Sequence, residues 1–538
     1  MKKNGLFLLT TAILTVAVMP LAAAGAKDEA YKKEGQEQVL HLAYNRERNT
    51  YNSYDFVYPW TDTNLIGNLM WLTLLQADNK LKVSGPEIMK NWEIKDNGCT
   101  IVMTIRKDLK WSDGKPITMD DVTWTLGRMC KDGIYWAYVT NALKYIEGFE
   151  DYKTGKTNWI KGIQVNGDTL TIKLTAPYVS FVDLMCQVAP LPKHIYENCA
   201  FENNGFKTDP IWRTIPVNSG MFVIKKHVPG SYYILEPNPY YKDKTPKIKK
   251  ILCTVTSDFS IAARSGITDF FMANDAETYH AMQKTPGFEL KVVPTIFFRF
   301  LLFNFFDAAG KEKNIIGDWR TRKAIAMAVD WNTVIKGLYG EQASLTQTGV
   351  LSSDKNYAGD WYKYDPQGAK TLLQQAGYNF NHILKIYYYY KDQTSIDVMD
   401  AIAYYLGQIG VKCEAVYTSN PVGDVFEGRK HDLAYFGLSA YDNLSWYQMY
   451  LRENMNWMIP ARNLFKDEVA KLEQAYTPKM VAAQLAVLQK MDRDNAFFLP
   501  VYTVNQQIWK SSKLSIPENT LGNFWFFFDY KFEEWEIK

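Results

Sequence analysis

Apolar and polar positions along this chain follow two periods, and the two keep exchanging places. Over Thr100–Ile105, Ile101, Met103 and Ile105 occupy every second position, the period of a half-buried strand. Ser112-Asp113-Gly114 then has the chemistry of a turn. Thr118 is placed to cap a helix, with Asp121 completing an approximate capping box. Met119, Val122, Leu126 and Met129 repeat behind it at helical spacing.

The exchange continues to the end of the chain. Asp365-Pro366 is an N-cap followed by proline at the first helical position; Ala369, Leu372, Leu373 and Ala376 follow, and Gly377 stops the helix. A second helix is predicted over 395–409, with Met399, Ile402, Leu406 and Ile409 on its apolar face, then a strand over 411–417. Thr477-Pro478 opens another helix containing Val481, Leu485 and Leu488, and Phe497 to Tyr502 returns as an apolar strand. Strands alternating with helices predict α/β sheets. No internal repeat and no low-complexity linker separates the parts, so the lobes are not expected to be strung like beads.

Composition is that of a soluble globular protein: 47% hydrophobic, 22% charged, net charge +3. No concentrated basic stripe points to nucleic acid. Roughly 510 residues beyond the N-terminal leader exceed the ~250–300 at which one core stops growing, so at least two lobes are expected. Lys2 and Lys3 precede an apolar run from Leu6 to Met19, and Ala22 to Ala26 offers small-residue cleavage sites. This predicts a signal peptide over 1–26. The first cysteine is Cys99, so no lipid-anchoring cysteine stands near the cleavage region. The expected location is a periplasm. One or two disulfides are possible there, Cys186–Cys199 being the nearest plausible pair, with buried free thiols the alternative.

Fragments that resemble catalytic motifs lack their partners. Gly155-Lys156-Thr157 has Glu150 where a phosphate-binding loop needs glycine. Ser352-x-x-Lys355 follows Lys153-Thr154-Gly155 along the chain, the reverse of the order in penicillin-recognising enzymes. The six histidines (41, 194, 227, 280, 382, 431) show no paired spacing for a metal. An enzyme is not expected, nor is a cofactor.

Trp111-Ser112-Asp113-Gly114, in its strand–turn–helix setting, resembles a signature of the family-5 solute-binding proteins of bacterial ABC importers, which include oligopeptide, dipeptide and nickel receptors. Further blocks in the same order are similar to that family: Ser219-Gly220-Met221-Phe222, Pro237-Asn238-Pro239-Tyr240-Tyr241, Phe303-Asn304, the run Arg320 to Asp330, and Tyr364-Asp365-Pro366 with Ala376-Gly377-Tyr378. The resemblance implies an α/β fold of the periplasmic-binding-protein type. Two lobes are joined by two crossover segments, matched here to Val293–Asn304 and Phe497–Tyr502. Lobe I would take 27–299 with 500–538, including an extra subdomain at about 74–210, and lobe II 300–499. It further implies a monomeric receptor that closes on a ligand and delivers it to a membrane permease. The ligand expected first is a short peptide; a metal chelate of the nickel type and an oligosaccharide are the alternatives.

The peptide branch of that family carries an Asp in a Gly-Trp-x-x-Asp pattern that holds the peptide amine. Here Gly437-Leu438-Ser439-Ala440 leads to Tyr441, with Asp442 one residue late, and Tyr435 stands where an oligopeptide receptor has Arg. Asp442 is thus a candidate amine anchor, a turn-capping role being the other reading. Within Tyr387-Tyr388-Tyr389-Tyr390, at most two rings of a strand can face the cleft, and Tyr388 and Tyr390 are the candidates. Trp446 and Trp457 are further candidate aromatic walls, with ordinary core packing as the alternative. Arg299, Arg429, Arg452 and Arg462 could take carboxylates.

Overall fold

A computed structural model of the chain describes residues 38–44, 64–132, 137–202, 205–207, 217–228, 230–359, 362–452 and 459–538; the expected signal peptide and Trp457 lie outside the described residues. The local signals become elements for the reasons the sequence suggests. Strand Thr100–Ile105 buries Ile101, Met103 and Ile105 in strict alternation. Asp121 Oδ2 accepts from the Thr118 backbone amide at 2.9 Å, while the Asp121 amide donates to Thr118 Oγ1 at 3.3 Å, so the capping box closes in both directions. Helices Pro366–Gln375 and Pro478–Asn495 are capped by Asp365 and Thr477, each with proline in the first turn. The helix expected from residue 395 starts two residues earlier, at Gln393, because Asp392 supplies the cap.

Two mixed sheets organise the molecule. Seven strands run in the order Phe222–Val228, Tyr232–Pro237, Lys250–Val255, Val39–Tyr44, Phe270–Ala273, Gln506–Ser511, Phe288–Val293. Six run in the order Ala343–Leu345, Phe498–Val504, Phe297–Phe303, Leu433–Ser439, Ile383–Tyr388, Lys412–Tyr417. A separate four-stranded antiparallel sheet, built from Met89–Lys95, Thr100–Ile105, Thr169–Lys173 and Ile163–Asn166, belongs to the first lobe's additional subdomain.

The chain passes between the two large sheets at 294–296 and again at Asn505. The runs read from sequence as extended connectors are instead ladder-paired strands: Phe297–Phe303 pairs with both Leu433–Ser439 and Phe498–Val504. The second lobe's sheet therefore reaches back to Phe297 and forward to Val504. The crossovers are tied to each other, since Thr295 Oγ1 donates to the Val504 carbonyl at 2.6 Å.

The blocks that carry the family resemblance converge as scaffold. The Ser112 amide donates to the Asn218 carbonyl at 2.8 Å, and Asn238 Nδ2 donates to the Gly220 carbonyl at 2.9 Å. A Cβ on Gly220 would collide with the backbone of Met70. In the second lobe, Arg322 spends all three guanidinium nitrogens on the carbonyls of Ile316, Gly317, Asn495 and Ala496. Burial pulls its pKa down to about 10.

All six cysteines are free, so the Cys186–Cys199 pairing is not formed. Cys186 sits at the C-cap of a short helix with its thiol turned to the Val182 carbonyl, while Cys199 Sγ faces the Ile195 carbonyl. Among the described residues no helix is long and apolar enough to cross a membrane.

Candidate ligand-binding site between the lobes

A cavity of about 890 Å³ opens between the lobes. The first lobe lines it with 79–82, 179–180, 291–293 and 521–523, the crossover with 294–296, and the second lobe with 353–356, 441–444 and 475–478. This lies within the ~300–1,000 Å³ typical of small-molecule sites. Its charged lining is Lys80, Lys82, Lys291 and Lys355 against Asp354 and Asp442, a cationic excess.

Asp442 is both a cap and a bridge. It precedes the short helix Asn443–Tyr447 in extended backbone, and its Oδ1 accepts from the Ser445 amide at 2.8 Å. Ser445 Oγ accepts in return from the Asp442 amide at 2.9 Å. The turn-capping reading therefore describes one carboxylate oxygen. The other, Oδ2, accepts from the Ser180 hydroxyl of the opposite lobe. Lys82 stands nearby, paired with Asp183 at 2.7 Å. Burial works against the Lys82 ammonium, but Asp183, and beyond it Asp442, outweigh this and hold its pKa above the ordinary lysine value.

Tyr441 crosses the cleft. Its hydroxyl donates to the Leu81 carbonyl at 3.0 Å and to the Asp183 carbonyl at 3.2 Å. Its ring stacks on Tyr138 at 5.0 Å and meets the edge of Phe526 at 5.2 Å. Burial pushes the phenol far above its ordinary pKa, so it stays a neutral donor. A second seam runs through Glu473: its carbonyl accepts from the Val179 amide at 2.7 Å, and its carboxylate accepts from Tyr145 and Gln448.

The other candidates are placed elsewhere. Trp446 is wholly buried, with Phe298, Phe300 and Phe498 around it at 4.2, 5.6 and 5.9 Å. It does not line the interlobe cavity, and a Cβ on Gly349 would strike its indole, so the ring packs as core. Tyr388 ends its strand half-buried against Tyr417, also outside the cavity lining. Tyr435 and Tyr390 lie together in the second lobe around Arg299. Tyr435 is sealed from solvent and shares a hydrogen bond with Tyr502.

Sequence reasoning missed Ser180, Lys82 and Asp354 as cavity residues. Ser180 and Lys82 sit in no motif, and Asp354 lies only inside the Ser352-x-x-Lys355 fragment; the crossing of two lobes brings them together. Asp354 is fixed by Asn443 Nδ2 and by the Asn356 amide, at 3.0 and 2.8 Å. Among the described residues, no three His, Cys, Asp or Glu side chains gather where they could hold a metal ion.

Two sheets, two crossovers and a cavity lined from both sides define the two-lobe architecture. The model of the bacterial extracellular solute-binding proteins, family 5, matches residues 85–457, and the chain belongs to that family. A putative ABC transporter peptide-binding protein of Brucella ovis is 27% identical over 362 residues, covering 64% of this chain and 63% of that one. The chain thus spans somewhat under two thirds of the length of the curated relatives it matches. An ABC transporter substrate-binding protein of Listeria monocytogenes superposes with a TM-score of 0.76 at 17% identity, over 93% of this chain and 99% of that one. NikZ of Campylobacter jejuni, solved in complex with Ni(L-His), gives 0.70 at 19%, over 93% and 100%.

Proposed function

We propose that this protein is the extracytoplasmic receptor of an ABC importer. It captures a short peptide between its lobes and delivers it to a membrane permease. It works as a monomer, free in the periplasm after removal of residues 1–26, and is not a catalyst. The observation that carries this reading is the cavity of about 890 Å³ enclosed jointly by both lobes, with Asp442 and Tyr441 reaching across it. A ligand that bridges the lobes stabilises the closed form by its extra affinity for that form.

Asp442 serves as the anchor for the peptide amine. Its carboxylate faces the cavity, and an ammonium there would replace solvent around an anion that already holds two neutral donors. The peptide-binding name of the Brucella ovis relative supports the same cargo. An oligosaccharide is less well served, since Tyr441 and Tyr476 are the only aromatic rings among the described residues that line the cavity, and Tyr441 is committed to closure.

Native mass spectrometry of freshly purified protein, followed by denaturing release, tests the reading. A ladder of peptide masses is expected. A single metal-chelate or sugar mass would replace the peptide assignment. For an empty protein, a thermal-shift screen of peptides, chelates and oligosaccharides decides between the same readings.

A further inference from the structure

Two arginines of the second lobe are drawn into its interior with opposite surroundings. Arg322 has a carbonyl for every nitrogen. Arg299, in strand Phe297–Phe303, has one hydrogen bond, from Nη1 to the Tyr390 hydroxyl. Its Nε is sealed from solvent and without a partner, and Nη2 makes no hydrogen bond among the described residues. No carboxylate among the described residues lies within ion-pair distance. Asp392, two residues beyond Tyr390, is committed to the amide and hydroxyl of Ser395.

A desolvated cation without a counter-ion is costly, and removing water from it is tolerated only where something else completes the pairing. The site around Arg299 is built. Its guanidinium lies over the Tyr390 ring at 3.9 Å and the Phe297 ring at 4.6 Å. Further hydroxyls pair nearby: Tyr389 with Tyr390 at 2.7 Å, and buried Tyr435 with Tyr502, which donates to Tyr339 at 2.9 Å. Gly437 leaves the space, since a Cβ there would strike both Arg299 Nη1 and the Tyr390 hydroxyl.

Arg299 is not itself among the residues that line the interlobe cavity, but it keeps partial exposure and stands three residues past Ile296, which does line it. Phe297, beneath the guanidinium, meets Trp525 of the first lobe edge to face at 5.2 Å. Nη2 is the donor left open to a carboxylate oxygen, with the sealed and unpartnered Nε beside it on the same planar fork.

We propose that Arg299, with the tyrosine hydroxyls around it, is the subsite for a carboxylate of the ligand. This rests on the receptor reading above and deepens it. The carboxylate is either a peptide C-terminus or an organic acid, the latter including one that chelates a metal.

Ligand-stripped mature protein and its Arg299→Gln and Arg299→Lys variants are titrated by calorimetry with trialanine, trialanine amide and succinate. Loss of a charge-assisted pair weakens binding by roughly 10–100-fold. The expected result is that the wild type prefers the acid to the amide by that factor and that Arg299→Gln erases the preference. Arg299→Lys, which keeps the charge but loses the fork, should restore only part of it. Succinate binding that depends on Arg299 without any peptide binding supports the subsite while ending the peptide reading. Equal binding of acid and amide by the wild type, or a preference that survives Arg299→Gln, overturns the subsite and leaves the peptide reading standing. No binding of either carboxyl probe, trialanine or succinate, by the wild type also overturns it. Should Arg299→Gln fail to fold, the acid–amide comparison on the wild type and on Tyr390→Phe decides: the preference must shrink when the hydroxyl that holds Nη1 is removed.

Discussion

Ser180 donates its hydroxyl to the carboxylate of Asp442 across the cleft, joining residues 262 positions apart in the chain. Each belongs to a different lobe, so the bond exists only while the lobes are together. It also occupies one lone pair on a carboxylate whose other oxygen caps a helix. Replacing Asp442 with Asn keeps a good cap residue and removes the charge. For peptides with a free amino terminus, Asp442→Asn should weaken binding by roughly 1.5–3 kcal/mol, the value of a hydrogen bond to a charged group. N-acetylated peptides should bind the two forms alike. Calorimetry with the paired peptides checks this, and unchanged affinity for the free amine removes Asp442 from the site.

Tyr441 stands where the peptide branch pattern leads one to look for the acid, and here it joins the two lobes. Tyr441→Phe keeps the ring against Tyr138 and Phe526 and deletes the bonds to the Leu81 and Asp183 carbonyls. The single O–H is shared between the two carbonyls, and the shared bond contributes about 1 kcal/mol net. The variant should populate a more open ligand-free form, seen as a larger radius of gyration in solution scattering. A ligand should restore the compact form at higher concentration than in the wild type.

Asp492 is buried in the second lobe, accepting from the hydroxyls of Tyr447 at 2.7 Å and Tyr450 at 2.5 Å. Burial, only partly offset by those bonds, pushes its pKa from 3.8 up to about 7. A raised acid binds its proton more tightly folded than unfolded. Its contribution is complete below the unfolded value and is lost as pH rises through the folded one. Relative to wild type, Asp492→Asn should therefore gain stability between about pH 5 and about pH 8, by roughly 2–3 kcal/mol. Chemical denaturation of both forms at the two pH values measures the difference.

Trp446→Ala should cost roughly 3–5 kcal/mol by leaving a cavity among Phe298, Phe300 and Phe498. The folded fraction should carry the same ligand masses as wild type. Thermal melts and native mass spectrometry together separate this from a ligand wall, whose loss would change the masses while sparing the melt.

Much of the fold was legible in the sequence because its signals are local. The alternation of Ile101, Met103 and Ile105, the Thr118–Asp121 box and the Asp365-Pro366 and Thr477-Pro478 starts each involve residues within a few positions of each other. Backbone geometry converts such spacings into faces and caps without reference to the rest of the chain. The family blocks were legible for a related reason: Ser112 with Asn218, and Asn238 with Gly220, answer to packing constraints that admit few residue types. The crossovers were less so. A run such as Phe297–Phe303 reads the same whether it is a bare connector or a paired central strand, and only its two neighbours decide.

The ligand site was the part that the sequence could name without placing. It offered Asp442, Tyr441, Tyr435, Tyr388, Tyr390, Trp446 and Arg299 as polar and aromatic groups of suitable chemistry. Which of them meets the cavity depends on strand register and on how the second lobe lands on the first. The short helix Asn443–Tyr447 turns Trp446 into the core beside Phe298, and strand register sets Arg299 opposite Gly437. The meeting of the lobes ties Tyr441 to the Leu81 and Asp183 carbonyls and brings Ser180 and Lys82 to Asp442. By itself the sequence determined the elements, the family and the chemistry on offer, since these follow from neighbours along the chain. The tertiary structure alone decided which groups face one another across the cleft, because that depends on contacts between residues hundreds of positions apart.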